Sequence, residues 1–161
     1  MSANLVTMSD VTNHIHEKQY FDYQKRFLNV ANDGTVTFKL EATAKDMHVI
    51  VNLDVEGKAY FDSYVDTVYT DDGTLQDTFN RFIDDAPAAL SKIYLTPTVS
   101  DNGTQRFQKL IAAGSRPFST GASTGGRVES IVAKGFNVYL VITNKSGSAQ
   151  DFGVTIEWYE E

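Results

Sequence analysis

Apolar and polar residues alternate along much of the chain after residue 34, which is the pattern of β-strands with one buried face. The alternation is clearest over residues 35–41, 48–55 and 152–159, where nearly every second side chain is large and apolar. Successive side chains of a strand point to opposite faces, so this period of two predicts three strands that each cover a core on one side.

Weaker versions of the same pattern fill most of the remaining chain. Further strands are predicted over residues 59–69, 92–99, 107–113, 128–133 and 137–143. The turn Glu56-Gly57-Lys58 predicts a hairpin between the second strand and the one after it, and residues 144–148 predict a closing hairpin between the last two strands. Pro97 predicts an edge position or a bend within 92–99.

Residues 70–89 do not alternate. Leu75, Phe79 and Phe82 are spaced as on one face of a helix until Pro87 interrupts. We expect a connection that contains at most one short helix.

Repeated short strands between turns predict an all-β fold, an antiparallel β-sandwich of jelly-roll-like type. With 161 residues the chain is the size of one domain. We assign residues 26–161 to the sandwich and residues 1–25, which show no sustained period, to an N-terminal arm or edge segment.

Charge narrows the classes of partner. The formal net charge is −7, from 21 acidic and 14 basic residues, and the basic residues are scattered. Nucleic-acid binders concentrate cations on one face, and anionic membranes repel an acidic protein, so neither partner is expected. There is no cysteine, and the polar residues after Met1 lack the pattern of a secretory signal.

Candidate chemistry is sparse, and we expect neither an enzyme nor a bound cofactor. Ser123 lies in a Gly-x-Ser-x-Gly string, but a Gly/Ser/Thr-rich stretch, 114–126, precedes a strand there, whereas a nucleophile elbow leads into a helix. His14 and His16 would share one side of an extended segment and are weak candidates for metal ligands, although two ligands fall short of a complete site. A carboxylate hydrolase remains an alternative; its candidate residues are Asp54, Asp62 and Asp66.

Aromatic residues are the strongest candidates for function. The chain has 10 Phe, 8 Tyr and 1 Trp, more than a wholly buried set requires, and some rings are expected at interfaces. The interface candidates are Tyr20, Phe21, Tyr23, Trp158 and Tyr159.

In organisation the chain resembles small tailed-bacteriophage virion proteins of the capsid-decoration type, also called head auxiliary or cement proteins. The likeness lies in the polar arm around His14-Ile15-His16, the strand-rich middle, the loop 114–126 and the closing segments 137–144 and 152–161. It implies a β-sandwich on the outer capsid surface of a virion, a homotrimer that binds the major capsid protein. An alternative is a receptor- or carbohydrate-binding module of a tail fibre or baseplate, in which exposed Tyr and Trp would stack on sugars.

Overall fold

The structure, a computed structural model, describes residues 14–83, 86–112 and 127–161. Strands dominate these residues, in the chain order β1 Tyr20–Val30, β2 Thr35–Glu41, β3 Met47–Val55, β4 Lys58–Val65, β5 Val68–Asp71, β6 Thr74–Leu75, β7 Phe79–Asn80, β8 Lys92–Leu95, β9 Thr98–Asp101, β10 Thr104–Ala112, β11 Arg127–Val132, β12 Asn137–Asn144 and β13 Gln150–Glu160.

Two antiparallel sheets pack against each other. Sheet A has the strand order β11-β3-β13-β1-β7, and sheet B has the order β10-β4-β12-β2-β8-β6. Strands β5 and β9 pair in a separate two-stranded ribbon. The predicted all-β sandwich is therefore confirmed.

The core lies between the sheets and follows the alternation seen in the sequence. Along β13, Phe152, Val154, Ile156 and Trp158 are at most 1% exposed, while the residues between them are partly exposed. Sheet B contributes facing residues such as Phe38, which is fully buried. Each large apolar side chain buried in this way contributes roughly 1.5–3 kcal/mol to folding.

The two predicted hairpins are wrong. Strands β3 and β4 are consecutive but lie in sheets A and B respectively, and so do β13 and β12. Both connections are therefore corners that carry the chain from one sheet to the other. A turn residue such as Gly57 reverses the chain in either case, so local turn chemistry does not distinguish a hairpin from a corner.

A buried polar pair, Asn144 and Gln150, holds the two corners together. Gln150 Oε1 accepts a hydrogen bond from the backbone N–H of Gly57 at 2.6 Å. Its Nε2 donates to the carbonyl oxygen of Lys58 at 3.0 Å and to Asn144 Oδ1 at 2.7 Å. Asn144 Nδ2 in turn donates to the carbonyl oxygen of Val30 at 2.7 Å, at the end of β1. One network thus fixes both corners and a third strand.

The predicted strand 59–69 is two strands. It breaks at Asp66, where the backbone takes a positive φ of 58°, and β5 then leaves sheet B for the ribbon. Lys39 connects the ribbon to the outer face of sheet B, because its ammonium lies 5.0 Å from the ring centre of Tyr69 in β5. The ammonium also contacts Asp72, just after β5, at 2.8 Å and Glu41 of its own strand at 3.1 Å. Burial alone would lower the pKa of Lys39, but these two hydrogen-bonded carboxylates outweigh it and raise the pKa.

The residues at helical spacing do not form a helix. Leu75 lies in β6 and Phe79 in β7, both of them two-residue strands, and these side chains are 57% and 66% exposed. The predicted bend near Pro97 is present, because β8 ends at Leu95 and β9, in the ribbon, begins at Thr98.

The N-terminal segment joins the sheet earlier than the division at residue 25. Strand β1 begins at Tyr20 and pairs with β13 over most of its length. A single helical turn at residues 14–16 precedes it, and residues 1–13 of the predicted arm lie outside the described residues. Within the described ranges, no helix has the length and apolarity that crossing a membrane requires.

Candidate interaction surfaces

The open edge is the side of the sandwich where β10 borders sheet B and β11 borders sheet A. Each of these strands has a paired neighbour on one side alone among the described residues. Lys109 of β10 reaches across the opening, and its Nζ donates to the carbonyl oxygen of Arg127 in β11 at 3.1 Å. Unpaired strand edges of this kind present backbone donors and acceptors to another chain.

A groove of about 540 Å³ enters the sandwich beside this edge. Three large apolar side chains in its wall are exposed to solvent: Phe107 by 40%, Ile131 by 64% and Phe136 by 65%. Arg106 and Glu129 also line the groove and give it charged groups of both signs. An exposed apolar patch with polar groups around it is typical of a protein-binding surface. Sequence reasoning did not single out these residues, because exposure at a sheet edge depends on strand order.

Four of the five interface candidates are buried within the chain itself. Tyr20, Phe21 and Tyr23 are 2%, 3% and 5% exposed, and Trp158 is fully buried. Phe21 lies opposite Trp158 in the sheet, and the two rings stack with centroids 5.7 Å apart. The expectation that these four rings contact a partner is corrected, because the chain itself already buries them, and Phe21, Tyr23 and Trp158 belong to the core between the sheets.

Tyr20 is buried differently from the other three, on the outer face of sheet A. The Arg81 guanidinium lies 5.5 Å from the centre of its ring, and Arg81 is held by ion pairs with Asp22 and Glu157. Burial, and next the nearby Glu157 carboxylate, raise the pKa of Tyr20 to about 12. The charged cluster of Arg81, Asp22 and Glu157 therefore covers the Tyr20 ring on this face.

Tyr159, the fifth candidate, lies between two histidines. Its ring stacks on His14 with centroids 3.9 Å apart and on His48 at 4.4 Å, and its hydroxyl and His48 Nδ1 share a hydrogen bond of 2.8 Å. The Glu161 carboxylate lies 3.5 Å from His14 Nε2 and 3.4 Å from His48 Nε2. The arrangement fastens residues preceding β1 to the end of the last strand.

His14 and His16 do not share one side. They lie in a helical turn, where residues two apart point in nearly opposite directions, and His16 is exposed while His14 stacks on Tyr159. The extended conformation assumed for the pair is wrong. Within residues 14–83, 86–112 and 127–161, no group of three or more His, Asp or Glu residues is arranged to hold a metal ion.

The hydrolase candidates are not brought together. Asp54 is exposed on the outer face of sheet A, Asp62 lies on the outer face of sheet B, and Asp66 is at the break after β4. Acid and base catalysis requires such groups to face one substrate. Ser123 lies outside the described residues.

A second surface surrounds Asp62 on the outer face of sheet B. Tyr60 and Tyr64, on the same strand and face, flank it and are partly exposed. Asp62 Oδ1 accepts hydrogen bonds from Gln105 Nε2 at 2.7 Å and from Gln108 Nε2 at 2.8 Å. Burial, then the Asp62 charge and Tyr139, raise the pKa of Tyr64.

No protein-family model matches the chain, and no curated protein sequence matches it. Two surfaces therefore carry the evidence for function, the groove at the open edge and the outer face of sheet B.

Proposed function

We propose that the protein is a structural subunit of a virus particle, a capsid-decoration protein of the tailed-bacteriophage type that binds the outer surface of the shell. The observation that supports it is the apolar groove at the open edge, with Phe107, Ile131 and Phe136 exposed beside two strand edges that no other described strand pairs with. Such a surface binds another protein by burying side chains and adding backbone hydrogen bonds.

The groove also fits association between copies of the chain. A ring of three copies repeats one contact around an axis, and each further contact with the shell then gains strength from avidity. The proposed particle component is accordingly a homotrimer whose shell partner is the major capsid protein. The acidic net charge of −7 keeps free subunits apart from one another until specific contacts form.

Light scattering and co-sedimentation test the proposal together. The chain is expected to form a trimer at micromolar concentration and to sediment with capsid shells assembled without it. Replacing Phe136 or Ile131 by serine, at sites 65% and 64% exposed, should weaken one or both associations at least tenfold without unfolding the protein.

Leu28→Ser is the matched control. Leu28 is 62% exposed and lies in β1, away from the groove. A protein that stays monomeric at high concentration and does not sediment with shells would overturn the proposal. If Leu28→Ser weakened association as much as the groove variants do, the groove would not be the binding surface.

A further inference from the structure

We propose that the outer face of sheet B binds a neutral oligosaccharide at Asp62, between Tyr60 and Tyr64. This inference is independent of the proposed function, because the residues concerned lie outside the groove at the open edge. The carboxylate of Asp62 has an unusual environment. Asp62 is 7% exposed, yet it lies on the solvent-facing side of its sheet and no Lys, Arg or His of the described ranges forms an ion pair with it.

Buried carboxylates are normally paired with a cation, since burial without one is costly. Here two neutral amides, from Gln105 and Gln108, both bind Oδ1. Oδ2 takes no hydrogen bond from the described residues and is not sealed from solvent. The carboxylate is thus fixed in orientation with one oxygen left open toward the surface.

The two amides reach the same oxygen because β10 is irregular. Residues three apart in a regular strand point to opposite faces, so Gln105 and Gln108 would not converge. The register of β10 against β4 shifts between Gln105 and Phe107, and the extra residue returns Gln105 to the outer face. Bulges that re-aim a side chain in this way are frequent beside functional sites.

The flanking rings indicate the class of ligand. Tyr60 and Tyr64 are four positions apart on one face, a separation of about 13 Å along a strand, with Asp62 midway. Tyrosine rings at this spacing can stack on the apolar faces of successive sugar units, while Oδ2 accepts a hydrogen bond from a ring hydroxyl. The distance of about 13 Å between the two tyrosines matches the length of two or three sugar units.

Charge selects among saccharides. A carboxylate with an open oxygen accepts hydrogen bonds from hydroxyls and repels other carboxylates, and the chain carries a net charge of −7. Neutral sugars are therefore preferred over sialylated or uronic ones. The dissociation constant expected for a shallow site of this size is on the order of 1 mM.

An array of neutral and sialylated oligosaccharides, followed by NMR titration with the strongest neutral ligand, tests the inference. Asp62→Asn keeps an oxygen for the two glutamines but removes the charge, and it should weaken binding at least about tenfold. Tyr60→Ala should weaken it about fivefold or more. Phe79→Ala, at an exposed aromatic residue of β7 in sheet A, is the matched control and should bind the sugar as the unaltered protein does.

Near-ultraviolet circular dichroism of each variant confirms that the fold is retained. The inference is overturned if the array shows no neutral ligand, if sialylated ligands bind more tightly, or if Asp62→Asn binds as well as the unaltered chain. A protein that docks on this face instead would give the first of these results. Loss of sugar binding in Asp62→Asn with shell binding intact would separate this site from the proposed function.

Discussion

Replacing Asn144 by alanine should destabilise the protein by about 4 kcal/mol, because its fully buried side chain uses all of its hydrogen-bonding capacity. Nδ2 donates to the carbonyl oxygens of Val30 and Ser148, each at 2.7 Å. Oδ1 accepts from the backbone N–H of Ser146 at 2.9 Å and from Gln150 Nε2 at 2.7 Å. Alanine removes these four bonds and leaves the partners inside the corner.

Each of the four bonds contributes roughly 1 kcal/mol net to stability. That is a large part of the 5–15 kcal/mol by which a domain is typically stable, so the variant should remain folded but marginal. With a denaturant slope of about 2 kcal/mol per molar urea, the midpoint should fall by about 2 M. Trp158, the only tryptophan and fully buried, provides the fluorescence signal for the titration.

Asn32→Ala is the matched control. Asn32 is exposed, and its amide bonds to Asp33 and to the backbone N–H of Gly147 beside the same corner. Its loss should cost less than about 1 kcal/mol, because water replaces the lost partners. A midpoint for Asn144→Ala within 0.5 M of the unaltered protein would refute the argument that this network holds the corners, where the expected shift is about 2 M.

Two further predictions concern β13 and the tyrosines. Glu160 is 3% exposed and accepts hydrogen bonds from the backbone N–H groups of Leu90 and Ser91 at 3.2 and 2.7 Å. Glu160→Gln should therefore destabilise the protein by about 2 kcal/mol and speed amide hydrogen exchange at Leu90 and Ser91. Unchanged exchange at these two residues would contradict the prediction. Burial raises the pKa of Tyr20 and Tyr23 to about 12, above the ordinary 10.0. Their contribution to stability is complete below pH 10.0 and should be lost as the pH rises through about 12, which urea titrations at successive alkaline pH values would show; a flat alkaline profile would contradict it.

The alternation of residue types predicts the strands well because burial of every second side chain shows as a pattern within a few consecutive residues. The predicted strand 35–41 coincides with β2, and 48–55 differs from β3 by one residue. The sandwich class follows from the number of such strands. Each of these inferences needs a window of a few residues and no knowledge of which strands are neighbours.

Strand partners could not be predicted in the same way. The corner after β3 depends on Gln150, about 90 residues further along the chain, and the burial of Phe21 depends on its pairing with Trp158. The helical spacing within residues 70–89 did not indicate a helix, for a related reason. Leu75 and Phe79 are exposed, so the spacing that resembled a buried helical face does not reflect burial.

The candidate surfaces were the least predictable part, because both arise at strand edges. Ile131 is exposed on the outer face of β11, the edge strand of sheet A, and Phe136 is exposed in the turn between β11 and β12. Gln105 joins Gln108 at Asp62 because β10 bulges. A sequence pattern treats an apolar residue in a strand as core, which fails for Ile131 in the edge strand β11, and treats residues three apart as opposed, which fails where β10 bulges. The alternation of residue types puts Tyr60, Asp62 and Tyr64 on one face of a strand, but it does not indicate that two glutamines orient Asp62.

Strand β10 connects the two proposals physically, since its two faces serve different surfaces. Phe107 lines the groove between the sheets, whereas Gln105 and Gln108 turn to the outer face of sheet B. A partner that paired with the edge of β10, which has no neighbour among the described strands, would hold the backbone of β10 in one conformation, and the bulge that orients Gln105 would be fixed with it. Protein binding at the edge should therefore tighten sugar binding at Asp62, and by thermodynamic reciprocity the sugar should tighten the edge contact by the same factor.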